Sequence, residues 1–85
     1  MKPTFLLVSC DVKKNKEVAE QIQRNHGVKE ALPVFGTYDC IVKTDNMAEK
    51  EIKEFVLSSI RPLDGVTAVL SLYTSPPKTW QNSNE

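Results

Sequence analysis

The sequence predicts an α+β domain of βαββαβ order: a four-stranded antiparallel sheet in strand order 4-1-3-2 with two helices on one face. Three observations carry this expectation. Four short segments rich in Val, Ile, Leu and Phe are interrupted twice by segments whose apolar residues recur at helical spacing. The triplets "HGV" and "DGV", ending at Val28 and Val66, each follow a helical segment and open a strand, so the chain reads as two βαβ halves. Finally, 85 residues that are 40% hydrophobic can build one core and not two.

Residues 4–12 alternate and read as the first strand, and residues 14–25 carry Val18, Ala19 and Ile22 on one helical face. His26 and Gly27 stop that helix, because glycine takes the left-handed conformation that ends helices, and a histidine there can meet the last carbonyls. Residues 28–35 form the second strand. Pro33 lies inside it, and a residue without an N–H belongs at a sheet edge. Residues 38–44 form the third strand, joined to the second by a short loop around Gly36, so the two pair as a hairpin.

The second helix places Ile52, Phe55, Val56 and Ile60 on one stripe, with Glu49, Lys50, Glu51, Lys53 and Glu54 outward. Asn46 followed by Glu49 resembles a capping box, Pro62 ends the helix, and Asp64-Gly65 turns the chain into a fourth strand over residues 66–73. Residues 76–85 are polar and follow two prolines, so the chain divides into a domain at 1–75 and a flexible tail carrying Trp80. Right-handed crossovers then give the ferredoxin-like arrangement, with Pro33 on an edge as required. Its sheet face away from the helices carries Phe5, Leu7, Ile41 and some of Ala68, Leu70 and Leu72. So much exposed apolar surface calls for a second copy of the chain, and a homodimer is expected.

Charge and composition exclude several functions. Lys and Arg number 11 and Asp and Glu number 11, so the chain lacks the basic excess of a direct nucleic-acid binder. The apolar run near the N-terminus is too short for a secretion signal or a membrane span, which points to a cytoplasmic protein without membrane contact. Cys10 and Cys40 have no CxxC spacing and read as reduced thiols facing the helices. One histidine, no paired nucleophile and base, and no phosphate-binding glycine loop argue against an enzyme and against a bound cofactor. Metal binding through Cys10, Cys40, His26, Met47 and Asp11 has no support from spacing.

What chemistry remains sits in "VFGTYDCIVKTD", residues 34–45. Together with "KEVAEQIQRNHGV" and "IRPLDGVTAVLSLY", in that order and spacing, this stretch resembles the ligand-sensing RAM domain of the Lrp/AsnC family. The likeness covers residues 5–73, about four fifths of the chain. The 85 residues hold no counterpart of the helix-turn-helix domain that usually precedes this domain, so the likeness is to its stand-alone form. The resemblance implies dimers that stack sheet to sheet, higher oligomers, and an amino acid or similar small-molecule effector held between dimers beside the hairpin. It also implies possible co-assembly with full-length Lrp/AsnC regulators.

By the same resemblance Gly36, Thr37, Tyr38 and Asp39 would line the effector site, joined by Ser71 from the last strand, where Ser71 and Thr67 are the hydroxyls that remain. Physical chemistry allows this: a glycine admits a ligand close to backbone, and an aspartate pairs with an ammonium group. It equally allows Gly-x-x-Asp to be ordinary turn chemistry, with the aspartate capping its own loop. Gly65-Val66 is followed by Thr67, Ala68 and Val69, fewer hydroxyls than amino-acid-binding members often carry there. The alternative function is therefore a metal-responsive or purely structural oligomeric module.

Overall fold

The computed structural model describes residues 3–73. Strand β1 (Thr4–Cys10) leads through a 3-10 turn (Val12–Lys14) into α1 (Asn15–Gln23), followed by β2 (Val28–Pro33) and β3 (Cys40–Thr44). Helix α2 (Glu49–Phe55) continues into a π-helical turn (Val56–Ile60) before β4 (Val66–Tyr73) closes the sheet. The strand order is β2-β3-β1-β4, the expected 4-1-3-2 read from the other edge, and every pair is antiparallel. The fold is ferredoxin-like. The proposed tail at residues 76–85, with Trp80, lies outside the described residues.

Alternation along β1 divides the molecule. Leu6, Val8 and Cys10 point under the helices and join Val18, Ala19, Ile22, Ile52, Phe55, Val56 and Ile60 in one buried core. Phe5 and Leu7 point the other way. Their register partners, Leu72 beside Phe5 and both Ile41 and Leu70 beside Leu7, extend that face across the sheet, and Leu32 next to Ile41 carries it to the β2 edge. Leu32, Leu70 and Leu72 each leave close to half of their surface in water. The apolar second face expected from the sequence is therefore present.

The two Gly-Val starts share one conformation: Gly27 has φ +87° and Gly65 has φ +93°, left-handed values that a side chain resists. Helix ends differ from expectation in three places. Helix α1 begins at Asn15, because Asp11 folds the preceding residues into a turn by accepting the Lys13 N–H at 3.0 Å on Oδ1. At its other end Asn25, not His26, supplies the cap, donating from Nδ2 to the carbonyls of Gln21 and Ile22 at 3.2 Å each. Helix α2 begins after Ala48, whose N–H donates to Glu51 Oε1 at 2.8 Å, so the capping glutamate stands two residues beyond Glu49. Asn46 is not the cap, because the preceding residue is tied back to α1's end by Asp45 N–H donating to Gly27 O at 2.7 Å.

The strand ends at the hairpin also fall short of the apolar pattern. β2 stops at Pro33 and β3 starts at Cys40, although Val34, Phe35 and Tyr38 suit strands. Among the described residues, no helix is long and apolar enough to cross a membrane.

Candidate functional site

The connection at residues 34–39 is a shaped loop held from three sides. Asp39 N–H donates to Val8 O at 2.9 Å, and Val34 N–H donates to Asp39 O at 2.9 Å, which closes the hairpin stem against β1. Asn15, buried at the start of α1, donates from Nδ2 to Val34 O at 3.2 Å. Asp39 then turns its carboxylate inward, where Oδ2 accepts the Cys10 N–H at 2.9 Å. β1 ends at Cys10, and this carboxylate completes the hydrogen bonding of its last residue.

The remainder of the loop faces outward. Phe35, Gly36 and Thr37 are exposed, Tyr38 and Asp39 are half-buried, and a Cβ placed on Gly36 would meet no atom within 4 Å. An incoming molecule can thus approach the backbone at Gly36 without displacing a side chain. Of the Asp39 carboxylate, Oδ2 is engaged by Cys10, and the described residues give Oδ1 no hydrogen bond. The arrangement can do two things at once: one oxygen fixes the loop on β1, and the other is free to meet a cation such as an ammonium group.

Two thiols lie behind the loop. Cys10 and Cys40 are both free and buried. Cys10 Sγ donates to Asp11 O at 3.4 Å and Cys40 Sγ to Asn15 O at 3.3 Å. Burial pushes the Cys40 thiol up to about 12, with the neighbouring Cys10 adding to the effect. Cys10 is raised as well, by burial and then by the Asp39 carboxylate. The same end of the molecule carries an ion pair between Lys14 and Asp64, which raises the lysine and lowers the carboxyl while tying the α1 start to the turn before β4. Among the described residues, no group of three or more His, Cys, Asp and Glu side chains could hold a metal ion.

Of the five residues singled out by resemblance, Gly36, Thr37, Tyr38 and Asp39 are contiguous on this loop. Ser71 is elsewhere. It sits opposite Leu6 in the β1–β4 register, on the helix side of the far edge strand, where it lines a shallow 220 Å³ groove with Lys53, Val56 and Leu57. Within one chain it does not join the hairpin. Asn15 was not visible as a site residue, and its only sequence signal is an asparagine at a helix start. Replacing Asp39 with Ala should lower stability by about 1–3 kcal/mol, since the buried-side N–H of Cys10 loses its acceptor. Asp39→Asn keeps an acceptor and should stay near wild type in chemical denaturation. Equal midpoints for all three proteins would show that the carboxylate does not hold the loop.

No family model matches the chain, and no curated protein matches it in sequence. Solved structures do. A hypothetical protein from Pyrococcus horikoshii superposes with a TM-score of 0.74 at 30% identity, over 85% of this chain and 87% of that one. FFRP-DM1 gives the same TM-score and identity, 0.74 and 30%, over 85% of this chain and 96% of its own. A transcriptional regulator from Neisseria meningitidis, solved in complex with L-Met, superposes with a TM-score of 0.72 at 20% identity and shares the fold; 87% of this chain covers 49% of that protein.

Proposed function

The chain belongs to the Lrp/AsnC family through its ligand-sensing RAM domain, and from that premise we propose that it is a non-enzymatic sensor of a free amino acid or a similar small molecule. The observation that carries this reading is the hairpin loop, which presents an open backbone at Gly36 beside a carboxylate already fixed in place. A zwitterionic effector suits it: exposed amides donate to the carboxylate end, and Asp39 Oδ1 takes the ammonium end. The regulator solved with L-Met has the same fold, which supports an amino acid as the effector class.

The working form is a dimer joined through the open sheet face, where Phe5, Leu7, Ile41, Leu32, Leu70 and Leu72 find burial, with further assembly placing hairpins at dimer boundaries. Because the chain corresponds to about half of the Neisseria meningitidis regulator, the same face offers a route for joining full-length regulators of the family. The site of action is the cytoplasm, in keeping with two free thiols.

A second reading is supported by the Asp39 to Cys10 hydrogen bond, which is what a purely structural turn also requires. Calorimetry against the twenty amino acids and a panel of divalent metals separates the two. Saturable heat from at least one amino acid is expected. Silence from all twenty leaves a structural oligomer, and heat from a metal alone makes the module metal-responsive.

A further inference from the structure

Among the described residues, one side chain hydrogen-bonds the free edge of β2. Gln23, at the end of α1, accepts the Ala31 N–H on Oε1 at 2.7 Å and donates from Nε2 to Lys29 O at 3.5 Å. A single amide thus offers the free edge an acceptor and a donor, as a peptide unit of a neighbouring strand would. The β2–β3 register shifts between Val28 and Glu30, an irregularity that includes Lys29. Beside this edge runs a 560 Å³ open groove with a floor of Ala19, Ala31 and Pro33 and a wall formed by Lys16, Glu20 and Arg24 of α1.

We propose that this groove receives an extended acidic peptide segment of another protein, which adds to the β2 edge by displacing the Gln23 amide. The edge supplies the backbone half of the contact. Ala31 N–H and Lys29 O, now held by the Gln23 amide, would pass to the incoming strand, and Pro33, without an N–H, ends the run. The wall supplies the selectivity. Among the described residues, Lys16, Glu20 and Arg24 take part in no ion pair. At a rise of about 1.5 Å per residue, Lys16 and Arg24 stand roughly 12 Å apart along α1. In an extended peptide, residues i and i+4 are on the same face and about 13 Å apart. The complementary segment therefore carries two carboxylates four residues apart, a small or basic residue midway opposite Glu20, and apolar residues at the positions between, which strand alternation turns to the other sheet face beside Leu32.

A second copy of the chain fits less well. In a two-fold pairing of β2 edges with α1 antiparallel to its mate, Lys16 would oppose the partner's Arg24 and Glu20 the partner's Glu20. Like charges would meet at every wall position, which disfavours self-pairing. The site is separate from the hairpin loop and does not depend on an amino-acid effector.

The test is fluorescence anisotropy with a fluorescein-labelled peptide of sequence Val-Glu-Val-Lys-Val-Glu-Val, beside a charge-swapped peptide with Lys, Glu and Lys at the same positions. Saturable binding of the first peptide is expected, at least tenfold tighter than the second, with a shift of the Ala31 amide resonance on titration. Gln23→Ala should tighten binding severalfold by removing the internal competitor. Lys16→Glu with Arg24→Glu should reverse the preference between the peptides. The proposal is overturned if neither peptide binds, if both bind alike, if the Ala31 resonance does not move, or if Gln23→Ala self-associates without binding peptide. That last result would make Gln23 only a guard of the edge.

Discussion

Replacing Leu7 with Asp is expected to yield a folded monomer. Leu7 lies in a central strand, yet its side chain is on the face away from the helices, opposite Ile41 and Leu70. A monomer can hydrate an aspartate there, and the core built by Leu6 and Val8 on the other face is untouched. In a sheet-to-sheet dimer the same carboxylate would be buried without a partner, at a cost of several kcal/mol. Association should weaken by about a thousandfold or more, corresponding to roughly 4 kcal/mol. Light scattering and circular dichroism together check this: a monomer with native helix content is expected. Leu6→Asp is the informative contrast, since Leu6 is fully buried and its replacement should unfold the chain. An unchanged oligomer for Leu7→Asp would move the interface off the sheet.

The second large effect concerns the thiols. Cys40 is fully buried and its thiol is pushed up to about 12, so at pH 8 its thiolate fraction is on the order of 10⁻⁴, against about 10⁻¹ for an ordinary cysteine of pKa near 9. Since the thiolate is the reacting species, native labelling of Cys40 should be at least about a thousandfold slower than labelling after denaturation. Cys10 should also react slowly, its thiol raised by burial and by Asp39.

Stability follows the same sign. The folded state holds the Cys40 proton more tightly than the unfolded state, so the contribution is complete below pH 9 and is lost as pH rises through about 12. Between those values the Cys40 contribution to stability should fall as pH rises. Rapid labelling of either thiol in the native protein would contradict the burial of that face.

The face assignments that both experiments use were legible in the sequence because a strand turns successive residues to opposite faces. Once residues 4–12 read as a strand, Leu7 and Cys10, an odd number of positions apart, fall on opposite sides of the sheet, although the run Phe5 to Val8 is apolar throughout. The paired Gly-Val starts were legible for a different reason, since a left-handed turn leaves few choices but glycine. The hairpin stem was not legible. Val34, Phe35 and Tyr38 have strand-like side chains, yet the last contact of the stem is the Val34 N–H donating to Asp39 O, and residues 35–38 form the loop beyond it. Contacts between a side chain and distant backbone leave no period to detect, which is why Asn15 and Gln23 read as ordinary helix residues. Asn46 failed as a cap for a related reason: the tie between Asp45 and Gly27 sets where α2 can start.

The role of Asp39 is where the family reading and the turn reading part. Both require the Oδ2 bond to Cys10, and only the first requires a charge on the other oxygen. Calorimetric titration of Asp39→Asn beside wild type, with whichever amino acid binds the wild type, isolates that charge. The substitution keeps the acceptor that holds the loop, so the dimer should remain folded, while loss of the ammonium contact costs roughly 1.5–3 kcal/mol, or about ten- to 150-fold in affinity. An Asp39→Asn variant that is folded, dimeric and equal to wild type in affinity would contradict the assignment of the hairpin as the effector site.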